Sequence, residues 1–97
     1  MNVVFREEAL TDLEEIADYV SQQNPQVAAR TIARIHRVIY KTLCTLPLGG
    51  RLNPTNSTRE YAVPGLPYLI VYLPGPDSID ILGVFHTSRD PATKPGP

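Results

Sequence analysis

Apolar residues recur in helical steps along the first half of the chain and in alternation along the second half. The short β-branched run Asn2–Phe5 (NVVF) predicts a first strand. From Glu7 to Gln23, Leu10, Leu13, Ile16, Ala17 and Val20 return at helical spacing. Threaded among them are Glu7, Glu8, Asp12, Glu14, Glu15 and Asp18, several in the first turns, where the helix dipole favours negative charge. Asn24-Pro25 then closes one helix and opens another, because Asn caps and Pro suits a first helical position. The second helix is predicted from about Pro25 to Leu46, with Ala28, Ile32, Ile35, Ile39, Leu43 and Leu46 on one side. Arg30, Arg34, Arg37 and Lys41 fall roughly opposite that stripe.

Pro47–Ser57 (PLGGRLNPTNS) reads as a loop, broken by Gly49-Gly50, Asn53-Pro54 and Asn56-Ser57. Three strand-like runs follow: Arg59–Val63, Tyr68–Leu73 and Ser78–His86. Pro64-Gly65-Leu66-Pro67 and Pro74-Gly75-Pro76-Asp77 join them with turn chemistry suited to adjacent antiparallel strands. Residues 1–91 make one domain, and Ala92–Pro97 is expected to be a loose tail. The predicted class is α+β, in the order β-α-α-β-β-β, with a helical hairpin packed on one face of a small, mainly antiparallel sheet.

Alternation should leave one side of such a sheet polar if water bathes it. Here Tyr68, Ile70 and Tyr72 alternate with Leu69, Val71 and Leu73, and Ile79, Ile81 and Phe85 with Leu82, Val84 and His86. Both sides read as apolar, and one hairpin covers only one of them. The pattern therefore predicts a cover for the second side: the loop Pro47–Ser57, a second copy, or a partner chain.

Composition narrows the classes. The chain is 42% hydrophobic and 20% charged, as soluble globular domains are. No apolar run reaches the ~20 residues that span a bilayer, and the N-terminus lacks a signal-peptide pattern. Cys44 stands alone with no metal-site spacing around it, so a reducing cytoplasm and a small packing role are expected. A net charge of −1 argues against strong nucleic-acid binding, which rests on a basic excess.

Three stretches carry a family resemblance. They are Ala9-x-x-Asp12-Leu13-x-x-Ile16-x-x-Tyr19, then Arg59-Glu60-Tyr61-x-Val63-Pro64-Gly65-x-Pro67-Tyr68-x-Ile70-Val71-Tyr72, and Ile81-Leu82-Gly83-Val84-Phe85-His86-x-x-Arg89-Asp90. In this order they resemble the RelE/ParE superfamily of toxins from type II toxin–antitoxin modules. The resemblance implies one of two activities: ribosome-dependent cleavage of messenger RNA, or blockade of DNA gyrase without catalysis. It also implies a cognate antitoxin that wraps the toxin with a flexible segment, and no cofactor or metal.

Metal-free RNA cleavage needs a base, an acid and cations near the phosphate. His86 as acid, Glu60 or Asp90 as base, and Arg59 and Arg89 as cations form a chemically sufficient set. Against it, nuclease-like relatives usually carry an arginine where this chain has Leu69, and they tend to be strongly basic. No tyrosine follows Tyr72 to stack a base near the C-terminal end. The expected function is thus ParE-like: a gyrase-blocking toxin that acts by contact, with the endoribonuclease as the alternative. His86, Arg89 and Arg59 are the expected target contacts. Leu69, Val71, Leu73, Leu82, Val84, Arg34 and Arg37 are the expected antitoxin contacts. Tyr19 and the apolar stripes of both helices are core candidates.

Overall fold

The computed structural model describes residues 1–89, so the expected tail Ala92–Pro97 and Asp90 lie outside the described residues. The chain runs β1 (Asn2–Phe5), α1 (Glu7–Gln23), α2 (Pro25–Arg37), a π-helical segment (Val38–Leu43), β2 (Arg51–Leu52), β3 (Arg59–Ala62), β4 (Tyr68–Pro74) and β5 (Ser78–His86). A short 3-10 turn, Thr87–Arg89, follows β5. The strands form one sheet in the order β1-β5-β4-β3-β2. β1 joins β5 in parallel, and every other pairing is antiparallel. The expected α+β class and element order hold.

Asn24 makes the hairpin. Its side-chain oxygen accepts the N–H groups of Gln26 at 3.0 Å and Val27 at 3.3 Å. Its own N–H donates to the Val20 carbonyl at 2.9 Å. One residue thus ends α1 and caps α2, and Pro25 follows where its missing N–H costs nothing. Ala9 and Leu13 of α1 and Ile35, Val38, Ile39 and Leu43 of the second helix enter one core with Val63, Tyr68, Ile70, Tyr72, Ile79, Ile81 and Val84. Each fully buried Ile or Leu there contributes about 1.5–3 kcal/mol.

Four sequence expectations shift. The second helix widens over Val38–Leu43, where Cys44 N–H bonds the Ile39 carbonyl. A π turn advances less per residue, so it rotates later positions off the apolar stripe. Leu46, expected on that stripe, is accordingly exposed. Leu10 and Tyr19, expected in the core, are exposed as well; Tyr19 sits roughly 240° around the helix from Leu13. The predicted loop Pro47–Ser57 contains β2, which extends the sheet beside β3.

The fourth shift concerns β5. Val71 faces Gly83 but Tyr72 faces Ile81, so Leu82 is an extra residue in a β-bulge. The alternation changes phase there. Val84 joins Ile79 and Ile81 in the core under the helices, at 3% exposure, and Phe85 moves to the opposite side. The expected grouping of Val84 with Leu82 on the second face is corrected by this bulge.

Candidate functional site

Neither helix lies on the second face of the sheet, and cross-strand register sorts that face into rows. Phe85, Leu69 and Ala62 form one row across β5, β4 and β3. Gly83, Val71, Glu60 and Arg51 form the next, and Val4, Asp80 and Leu73 another. Leu69 and Val71 are buried, whereas Val4 and Leu73 are exposed. The Phe85 ring lies over Gly83, where an added Cβ would come within 2.8 Å of it. Between the apolar rows run two ion pairs: Arg51–Glu60 at 2.6 Å and Arg6–Asp80 at 2.9 Å. The Glu60 side chain is only 2% exposed, so Arg51 answers a carboxylate that burial would otherwise penalise.

The loop offered by the sequence as a roof lies elsewhere. The Tyr72 hydroxyl accepts the Gly50 N–H at 2.9 Å and donates to the Pro47 carbonyl at 2.8 Å. Tyr72 faces the helices, so residues 47–50 tuck against that side and the sheet edge. Burial raises the Tyr72 pKa; the Gly50 bond and nearby Arg59 pull the other way, and Tyr61 adds to the rise. Arg59 fastens the same loop, its Nη1 donating to the carbonyls of Leu48 at 3.2 Å and Gly50 at 2.9 Å.

His86 ends β5 opposite Tyr68, their rings edge-to-face at 5.7 Å. Its Nδ1 accepts the Ser88 N–H at 3.2 Å and lies 2.9 Å from the Ser88 hydroxyl. Thr87 N–H binds the Pro67 carbonyl at 2.8 Å, tying this strand end to the β3–β4 turn. Because Tyr68 belongs to the helix-side core, the His86 ring borders that side and not the second face, and the bulge parts it from Leu82, with which simple alternation groups it. Arg89 is the last residue of the 3-10 turn.

Within the nuclease set, Glu60, Arg59 and His86 do not converge. Glu60 pairs with Val71 and points to the second face, while His86 pairs with Tyr68 and points to the helix side. Arg59 shares the side of His86 but stands opposite Tyr72, four residues along β4 from the Tyr68 rung. That separates them by roughly 13 Å along the strand and roughly 10 Å across it. Of the expected antitoxin contacts, Leu69, Val71 and Leu73 share the second face, and Leu82 sits half-buried at the bulge. Arg34 on α2 donates to the Pro64 carbonyl at 3.1 Å, holding the turn where Gly65 takes a φ of +77°. Arg37 is exposed and makes no ion pair among the described residues. The alternation pattern missed Phe85, Ala62 and Val4; a glycine inside a strand was the available sign of the bulge that moves Phe85.

No helix among the described residues is long and apolar enough to cross a membrane, and no cluster there has the makings of a metal site. The family profile described as "ParE toxin of type II toxin-antitoxin system, parDE" matches residues 3–91. A relative in Sinorhizobium fredii (strain NBRC 101917 / NGR234), named "Putative toxin Y4kP", is 38% identical over 81 residues, 84% of this chain and 82% of its own length. A solved structure titled "Chromosomal ParDE TA system from P. aeruginosa" superposes with a TM-score of 0.71 at 23% identity, covering 89% of this chain and 95% of that one. That likeness speaks for the fold. The profile match over nearly the whole chain, with this α-hairpin on a five-stranded sheet, makes the protein a member of the ParE toxin family of type II toxin–antitoxin systems.

Proposed function

We propose that the chain is a toxin that inhibits DNA gyrase by protein–protein contact and is neutralised by a cognate antitoxin. The observation that carries the reading is the dispersal of Glu60, His86 and Arg59. Glu60 and His86 lie on opposite faces of the sheet, and Arg59 is spent on its own loop. Acid–base chemistry on one phosphate requires such groups within hydrogen-bond reach of a single substrate. Contact inhibition makes no such demand.

In this reading, His86 and Arg89 at the end of β5 belong to the surface that meets the target, with Arg59 supporting a separate part of it. The antitoxin covers the second face, lying on exposed Leu73 and over the buried Leu69 and Val71, and reaches Leu82 at the bulge and Arg34 and Arg37 on α2. Val4 and Leu73 offer it exposed apolar area at the β1 end. Purified chain added to a plasmid supercoiling reaction and to a coupled translation reaction tests the proposal. Blocked supercoiling with intact message supports it; cut message with untouched supercoiling replaces it with the endoribonuclease.

A further inference from the structure

The two helices carry opposite charge on their outward faces, and among the described residues these charges form no ion pair. Glu7, Glu14 and Asp18 of α1 are exposed, and so are Arg30, Arg37 and Lys41 of the second helix. Among the described residues, the two ion pairs are Arg6–Asp80 and Arg51–Glu60, and neither involves these six. Both rows follow steps of seven and then four residues, which keeps each on one side of its helix. That side is opposite the buried Ala9 and Leu13 in α1, and opposite the buried Ala28 and Ile35 in α2. The hairpin turns at Asn24 alone, so Glu7 is level with Lys41 and Asp18 with Arg30, each pair equally far in sequence from the turn.

An acidic ridge beside a basic ridge, at matched levels, is self-complementary under a two-fold axis parallel to the helices. Such an axis keeps every level and exchanges left for right, so each acidic row meets the partner's basic row. In an isologous contact both meetings occur at once. We propose that this outer face of the hairpin binds a second copy of the chain, α1 of each protomer against α2 of the other. The sheet's second face stays clear of this contact. The surface is charged and only sparsely apolar, so association is modest and salt-sensitive.

The test is the mass of the full-length chain in solution by sedimentation equilibrium, first across a salt series. A dimer is expected at low salt, its dissociation constant rising roughly tenfold or more towards about 1 M salt, where screening shrinks the reach of charge to ~3 Å. Arg30→Glu with Lys41→Glu makes the outer face mostly acidic while leaving Arg37 in place, and Glu14→Lys with Asp18→Lys makes it mostly basic while leaving Glu7. Each alone should be monomeric with an unchanged circular dichroism spectrum, and an equimolar mixture should restore the dimer. A wild-type monomer at every salt overturns the proposal, as does a dimer indifferent to salt or a mixture that stays monomeric. A monomer whose hairpin variants lose only antitoxin affinity overturns it in favour of the antitoxin as occupant. Should the variants misfold, the wild-type salt series decides by itself.

Discussion

The carboxylate of Asp12 in α1 accepts the backbone N–H of Val84 in β5 at 3.0 Å. β1 pairs with β5 only as far as Phe5 and Ile81, with Arg6 N–H closing on the Ile81 carbonyl. Beyond that point β5 has a free edge, and the bulge at Leu82 turns the Val84 N–H towards it. Asp12 supplies the acceptor that β1 no longer provides, and so pins helix to sheet where the strand phase changes.

Asp12→Ala should therefore destabilise the fold by about 1–3 kcal/mol, the cost of stranding a partly buried donor that accepted help from a charged group. Urea titration of the two proteins measures it. Gly83→Ala should also destabilise, because a methyl there would meet the Phe85 ring at 2.8 Å and the Asp12 carboxylate at 3.1 Å. The two losses should fall short of adding in the double variant, since both disturb one contact.

Tyr72→Phe deletes both bonds that hold residues 47–50 while leaving the ring in the core. A loss of about 1–3 kcal/mol is expected, read as a lowered urea midpoint with little change in slope. Hydrogen exchange should quicken at the Gly50 amide before it does so in β4.

Alkali should weaken the fold through two tyrosines. Burial raises Tyr68, with Tyr19 adding to the rise, and burial likewise raises Tyr72 above the ordinary 10.0. A raised folded-state pKa means the neutral phenol carries the stability. That contribution is complete below the ordinary value and is lost as pH climbs through the raised values. Unfolding midpoints followed from neutral to strongly alkaline pH should fall in that range, and Tyr72→Phe should shallow the fall.

His86→Ala should leave stability within about 1 kcal/mol, because the ring is exposed and its bonds to Ser88 are local. In the proposed function the same change weakens gyrase inhibition, because it removes a target contact. Translation by purified ribosomes should be equally unaffected by wild type and variant; a cut message that becomes intact with His86→Ala would speak for catalysis.

Much of the fold was legible because its signals are local. Asn24-Pro25 announced the hairpin, the Pro-Gly turns announced the β3–β4–β5 meander, and the charged rows of both helices were visible in sequence. What escaped depends on contacts distant in sequence. The reach of Asp12 to Val84 and the ring of Phe85 over Gly83 set the bulge, and no two-residue alternation shows where its own phase slips. The Tyr72 hydroxyl joins a core residue to a loop more than twenty positions away, so the loop's place on the helix side was not readable from its Gly and Pro content. The π-helical turn that carries Leu46 outwards left no pattern distinct from an α-helix.

Direct titration of gyrase with the purified chain, in chelator and without nucleotide, tests the central claim most plainly. Inhibition by contact predicts a saturable complex between the two proteins under those conditions, unchanged when buried Glu60 is replaced by Gln. Absence of any complex, together with messenger RNA cleavage that Glu60→Gln abolishes, would contradict it.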